Sequence, residues 1–240
     1  MDTSFWTNLN SNINCGITKK QFYGQYLCKL VMELPCGRLV KSMEDLTDEL
    51  RYRKQTHINR NYGGSWGNRQ SADLEKASVE QLEIVRSIKQ DYSDIVKIRI
   101  EEPYVQFYAR DEHDLKIITS RFTGICKQRL IQIETPIDKC HADKLKSGDI
   151  FMSTNIGYSH KVYIRDGLYP MEVKQQLLSY LDNLGSDVKL SKGTRKQLEG
   201  PLSYIWGNFF YIKDPKLTTF IALIHPSLIR KIHKLEVLEQ

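Results

Sequence analysis

The chain has 240 residues, a formal net charge of +6 and 40% hydrophobic residues. This composition is typical of globular proteins and excludes the disordered and collagen-like classes. The length suits one large domain or two domains of roughly 100 residues each. The longest apolar run, residues 220–224, is too short to cross a bilayer, and the N-terminus resembles no secretory leader. We therefore expect a cytoplasmic protein without a membrane partner.

The cysteines do not indicate a metal site or a disulfide framework. There are five of them, an odd and widely spaced set without a Cys-x-x-Cys pair: Cys15, Cys28, Cys36, Cys126 and Cys140. We expect a reducing compartment, no metal and no cofactor. The positive charge and the pI near 8.9 favour an anionic partner, although an excess of lysine is also common on ordinary protein surfaces.

The first half of the chain predicts an arm followed by six elements. Residues 1–22 are mostly polar, with Phe5 and Trp6 as bulky anchors, and we expect them to form an N-terminal arm outside the core. Hydrophobic periodicity then predicts strand, helix, two strands of a hairpin, helix and strand over residues 26–34, 78–91, 95–101, 104–110, 111–124 and 129–134. Asp111 precedes the second helix as its N-cap, which explains this acid without a catalytic role.

The second half repeats this order. Strands and helices alternate in the same way over residues 160–166, 171–184, 187–191, 208–213, 217–223 and 232–238, with Asp214 as a helix N-cap. The sequence therefore predicts an α+β protein with a β-α-β-β-α-β unit at 23–136, a linker or small subdomain at 137–157 and a second such unit at 158–240. In the last strand the alternation places His233 inward, as a structural histidine.

One strand in each half is rich in Tyr or Phe, namely 104–110 and 208–213. Alternation directs aliphatic residues to one face and pairs aromatic rings with cations on the other. The outward residues are Lys97, Arg99, Tyr104, Gln106, Tyr108 and Arg110 in the first half and Lys161, Tyr163, Arg165, Lys189, Phe209, Tyr211 and Lys213 in the second. An open sheet face of this kind suits single-stranded nucleic acid. The alternative is that these faces pack against each other, the linker or a protein partner.

A loop rich in glycine, rings and cations gives a second candidate surface. Its residues suited to a phosphate backbone are Arg51, Arg53, Lys54, Arg60, Tyr62, Trp66 and Arg69. The alternative is an ordinary surface loop whose Trp66 enters the core. The scattered histidines and acids form no convincing catalytic set.

The repeated element order resembles two ferredoxin-like domains in tandem, the architecture of RNA-recognition-motif proteins and of the CRISPR repeat-associated RNA-processing family. Segment 206–212, Trp-Gly-Asn-Phe-Phe-Tyr-Ile, is similar to the recognition-motif consensus in its glycine and aromatic residues. The resemblance implies a nucleic-acid partner. We expect non-enzymatic binding of RNA or single-stranded DNA, in a bacteriophage accessory factor for replication, transcription or transcript handling. The alternatives are an assembly protein that uses its aromatic faces for protein contacts and a metal-free endoribonuclease.

Overall fold

The computed structural model describes residues 2–34, 69–101, 103–122, 124–202 and 204–238, with side chains for all of these except 69–79, 125 and 126. The chain divides into two compact units, Met1–Lys146 and Ser147–Gln240. None of the helices in the described ranges is long and apolar enough to span a membrane.

The first unit is a five-stranded sheet with helices. Its strands are β1 (Asn14–Ile17), β2 (Cys28–Glu33), β3 (Val96–Glu101), β4 (Tyr104–Ala109) and β5 (Leu130–Thr135). Its helices are α1 (Thr3–Leu9), α2 (Arg69–Asp91), α3 (Glu112–Ser120) and α4 (Lys139–Ser147), which ends at the boundary between the units. The strand order is β1-β5-β2-β4-β3, with β1 parallel to β5 and the other pairs antiparallel. Apart from β1, this is the ferredoxin-like order.

The second unit repeats this topology. Its main sheet contains β6 (Ile150–Met152), β7 (His160–Ile164), β9 (Val188–Leu190), β11 (Phe209–Ile212) and β12 (Ile229–Val237) in the order β6-β12-β7-β11-β9. The short strands β8 (Gly167–Leu168) and β10 (Tyr204–Ile205) form a separate pair, and the helices are α5 (Met171–Asn183), α6 (Lys192–Glu199) and α7 (Thr218–Ile224). The predicted α+β class is confirmed, with one five-stranded mixed sheet in each unit.

Side-chain alternation produces the core of each unit. In β4, Val105, Phe107 and Ala109 are fully buried, and in β11 Phe210 and Ile212 are equally buried. Asp111 begins α3 as predicted, because its carboxylate accepts the Asp114 N–H at 3.0 Å. The backbone therefore directs the other side chains of these two strands to the opposite face of each sheet.

The predicted N-terminal arm is instead part of the first unit. Trp6 is fully buried and its Nε1–H donates to Glu112 Oε1 at 2.8 Å. The following strand, β1, pairs with β5, which would otherwise present an unpaired edge. The prediction was wrong because the polar sequence around Trp6 does not reveal that β5 needs a partner.

The predicted linker, residues 137–157, also contains regular structure. Helix α4 buries His141 and Leu145, and β6 pairs in parallel with β12. The β6 strand covers the edge of the last strand of its sheet just as β1 does in the first unit. The second unit also contains an insertion, in which α6 and β10 lie between β9 and β11.

Candidate nucleic-acid interface

The outward faces of the two sheets share one arrangement, which we call the central row. In each sheet a tyrosine lies directly between two lysines on the neighbouring strands: Lys29–Tyr108–Lys97 in the first unit and Lys161–Tyr211–Lys189 in the second. The last strand of each sheet extends the row by one residue, and here the units differ. Glu134 lies opposite Lys29, whereas His233 lies opposite Lys161.

The chain itself covers the central row of the first unit. Phe22 and Tyr23, just before β2, place their rings 5.3 and 5.0 Å from the ring of Tyr108. Tyr108 consequently retains only 5% exposure, and this burial raises the pKa of its hydroxyl. Tyr108 was predicted as an exposed stacking residue. It does lie on the outward face, but its ring has no free surface for a base.

Charges on the first face balance one another. Its outward side chains include three cations and three carboxylates: Lys29, Lys97, Arg99, Glu33, Glu101 and Glu134. Lys29 lies 3.5 Å from Glu134, and the Lys97 ammonium lies 4.2 Å from the centre of the Tyr23 ring. The Arg99 guanidinium pairs with Glu101 and donates to the Tyr23 hydroxyl at 3.1 Å.

Two further predicted residues of this half, Tyr104 and Arg110, are exposed at opposite ends of β4. Neither belongs to the central row. Because the row is covered and its lysines already have partners, the first face is poorly suited to an anionic strand.

The second face presents a continuous series of rings, which we call the ring series. Its members are Tyr158, Tyr211, Phe209, Tyr163 and His233, each partly exposed. Neighbouring ring centres lie 6.3, 5.6, 6.0 and 5.6 Å apart in that order. These separations are typical of interacting aromatic pairs. Three of the predicted residues, Tyr163, Phe209 and Tyr211, are therefore brought together.

Lys161 lies in the middle of the ring series. Its ammonium is 3.7 Å from the ring centre of Phe209, 4.8 Å from that of Tyr163 and 5.8 Å from that of Tyr211. Burial among these rings lowers the pKa of Lys161. Across the described ranges, no carboxylate lies within 4.0 Å of this ammonium.

Two more lysines flank the series. Lys189 is exposed opposite Tyr211, and the Lys231 ammonium lies 5.0 Å from the ring centre of Tyr163. Lys231 is an addition from the structure, since the sequence pattern did not single it out. The second face thus combines rings with cations where the first combines rings with balanced charges.

His233 lies outward, contrary to the prediction that it faces inward. An irregularity between Ile229 and Lys231 shifts the register of β12, and a shift of one residue transfers every following side chain to the other face. The Nδ1–H of His233 donates to the Gly148 carbonyl, which leaves Nε2 as an acceptor in the neutral ring. Burial lowers the pKa of His233.

The other candidates of the second half stabilise its loops. Arg165 donates from Nε to the Ser227 carbonyl at 2.9 Å, and Lys213 pairs with Asp187 at 3.0 Å. In the loop of the first half, the candidates Arg51, Arg53, Lys54, Arg60, Tyr62 and Trp66 lie outside the described residues. Arg69 is the first residue of α2.

No family model matches this chain, and no curated protein matches it. Among solved structures, chlorite dismutase from Candidatus Nitrospira defluvii, in complex with imidazole, aligns over 87% of both chains at 11% identity. The TM-score of 0.21 is too low for this similarity to support an argument. Within the described ranges, no group of three or more His, Cys, Asp or Glu side chains is placed to hold a metal ion.

Proposed function

We propose that the second unit binds single-stranded nucleic acid, RNA or DNA, without catalysing a reaction. The observation that carries the proposal is the open central row Lys161–Tyr211–Lys189, whose counterpart in the first unit is covered by rings and neutralised by Glu134. Among the described residues, the same sheet position is therefore accessible and cationic in only one of the two units.

The chemistry of this face matches both parts of a single strand. Bases stack on exposed aromatic rings with about 1–3 kcal/mol each, and lysines contact the phosphates between them. Tyr211, Phe209 and Tyr163 offer the rings, while Lys161, Lys189 and Lys231 offer the charges. Stacking does not depend strongly on base identity, so we expect little sequence preference.

A protein–protein interface on this face is less favourable. Lysine is depleted from the centres of protein interfaces because its desolvation is costly without a carboxylate partner. Lys161 occupies the centre of the ring series, so a protein partner would have to supply a carboxylate there. A nucleic-acid strand carries its compensating phosphates at every nucleotide.

The two row tyrosines provide a matched test. Fluorescence anisotropy would measure binding of labelled single-stranded RNA and DNA to the intact chain and to the variants Tyr211→Ala and Tyr108→Ala. Loss of one stacked base, about 1–3 kcal/mol, should weaken binding by Tyr211→Ala roughly 5- to 150-fold. Tyr108→Ala should lower stability because Tyr108 is buried, yet leave affinity within about twofold. Equal affinities for both variants would refute the assignment to the second face.

A further inference from the structure

A second pair of exposed rings lies in the insertion of the second unit. Tyr204 and Trp206 are 48% and 53% exposed, and their ring centres are 6.2 Å apart with an angle of 28° between the planes. Leu202 beside them is also exposed. The ring series of the sheet does not include these side chains.

Hydrogen bonds fix the backbone that carries Trp206. The side-chain amide of Gln197 accepts the Trp206 N–H at 3.0 Å and donates to the Trp206 carbonyl at 3.2 Å. Asn208 donates to the same Gln197 oxygen at 3.0 Å. The backbone of Trp206 is therefore held in place before any ligand arrives, which reduces the entropy that binding would cost.

A buried lysine fixes the other side of this insertion. Lys174 is only 1% exposed, and its ammonium donates to the carbonyls of Gln197, Gly200 and Leu202. These bonds satisfy the carbonyls at the end of α6 and hold the turn that follows it. A pocket of about 380 Å³ lies on this segment, and its lining includes Lys196, Gln197, Pro201, Leu202, Tyr204 and Trp206.

The lining of this pocket suits a stacked base. It contains two rings, apolar side chains and the exposed cation Lys196, but none of its residues is acidic. Gln197 already bonds to the backbone, so its amide is occupied rather than available to read a base edge. The nearby Asp166 accepts the Gly207 N–H at 2.7 Å and lies 3.7 Å from Arg230, which offsets its charge.

Continuity with the ring series favours the same strand as the occupant. Trp206 precedes Phe209 by three residues, so the two Cα atoms lie within about 11 Å even for a fully extended chain. We propose that the Tyr204–Trp206 pocket is a second base-stacking site, which holds a nucleotide of the strand bound on the sheet and does not select its base. This inference rests on the proposed function of the second face.

The dependence of affinity on the length of the nucleic-acid strand tests the second base-stacking site. Anisotropy would compare oligothymidylates of about 4 and about 12 nucleotides, lengths that fit one site and span both. The wild-type chain should bind the longer strand more tightly, and Trp206→Ala should reduce that length-dependent gain by roughly 5- to 150-fold. Binding of the short strand should stay within about twofold, because the sheet alone holds it. Tyr204→Ala, a second variant, should act in the same direction.

Phe220→Ala is the matched control, since Phe220 is an exposed ring on α7 that does not line the pocket. This variant should keep the full gain in affinity from the shorter to the longer strand. If folded Trp206→Ala retains that gain, the second site is refuted and a protein partner becomes the better occupant, while the proposed function stands. If the wild-type chain binds neither these strands nor oligouridylates of the same lengths, the proposed function itself fails and this inference fails with it.

Discussion

Replacing Lys161 by methionine separates a binding role from a structural one. The change removes the charge at the centre of the ring series and retains a side chain of similar length. Two effects on folding oppose each other. The substitution removes the contacts of the ammonium with three rings, each of which stabilises the fold by about 0.5–1 kcal/mol at exposed sites. It also removes the cost of desolvating the charge on folding.

The lowered pKa of Lys161 shows that burial disfavours its charged form in the folded state. The unfolding free energy of Lys161→Met should therefore stay within about 1 kcal/mol of wild type, a melting shift below roughly 8 °C for a unit of this size. Binding should respond much more. Loss of one charged contact to a phosphate, about 1.5 kcal/mol, weakens binding roughly tenfold.

Anisotropy titrations at several salt concentrations would measure both affinity and its salt dependence. The slope of log K against log salt should become shallower by about 0.7, the contribution of one phosphate contact on a single strand. Lys216→Met is the control, because it removes an equal charge from an exposed turn before α7. A clearly destabilised Lys161→Met that binds as tightly as wild type would show that the lysine serves the fold.

Three further changes test individual parts of the account. His233→Glu places a carboxylate beside Lys161, as Glu134 lies beside Lys29 in the first face. Anisotropy should show affinity for the single strand reduced at least about tenfold. Unchanged affinity would contradict the role of the open row. Burial lowers the pKa of His233, so the folded state resists its protonation. The stability it contributes is present above its unfolded pKa of about 6.5 and is lost as the pH falls through the lower folded pKa. The same protonation adds charge to the face, so affinity should rise as the pH falls below about 6.5, and less steeply in His233→Gln. Trp6→Ala should lower the unfolding free energy by about 3–5 kcal/mol in denaturant titrations without changing affinity, because Trp6 is buried in the first unit. A negligible loss of stability would instead support the prediction that the N-terminal residues form an arm outside the core.

Local periodicity predicted most of the fold because both sheets follow strict alternation at their central strands. The buried residues Val105 and Phe107, and the capping by Asp111, depend only on neighbours in sequence. Pairing Tyr211 with Lys161 and Lys189 depends on the strand order of the sheet, which local periodicity does not predict.

Three features could not be predicted because each depends on a local irregularity or on a contact with another segment of the chain. Tyr108 is covered by a turn in which Tyr23 has a φ of 52°, and nothing in β4 indicates this. His233 changes face at a register shift in β12. The backbone of Trp206 is held by Gln197 on an inserted helix, a contact between residues nine positions apart.

In the proposed function, a single strand binds the rings and the three lysines of the second face. The most direct measurement is the affinity of the wild-type chain for a labelled single strand over a range of salt concentrations. Three phosphate contacts, made by Lys161, Lys189 and Lys231, predict a slope of about −2 for log K against log salt. Absence of binding at low salt, or binding whose strength does not change with salt, would rule out a nucleic-acid site on this face.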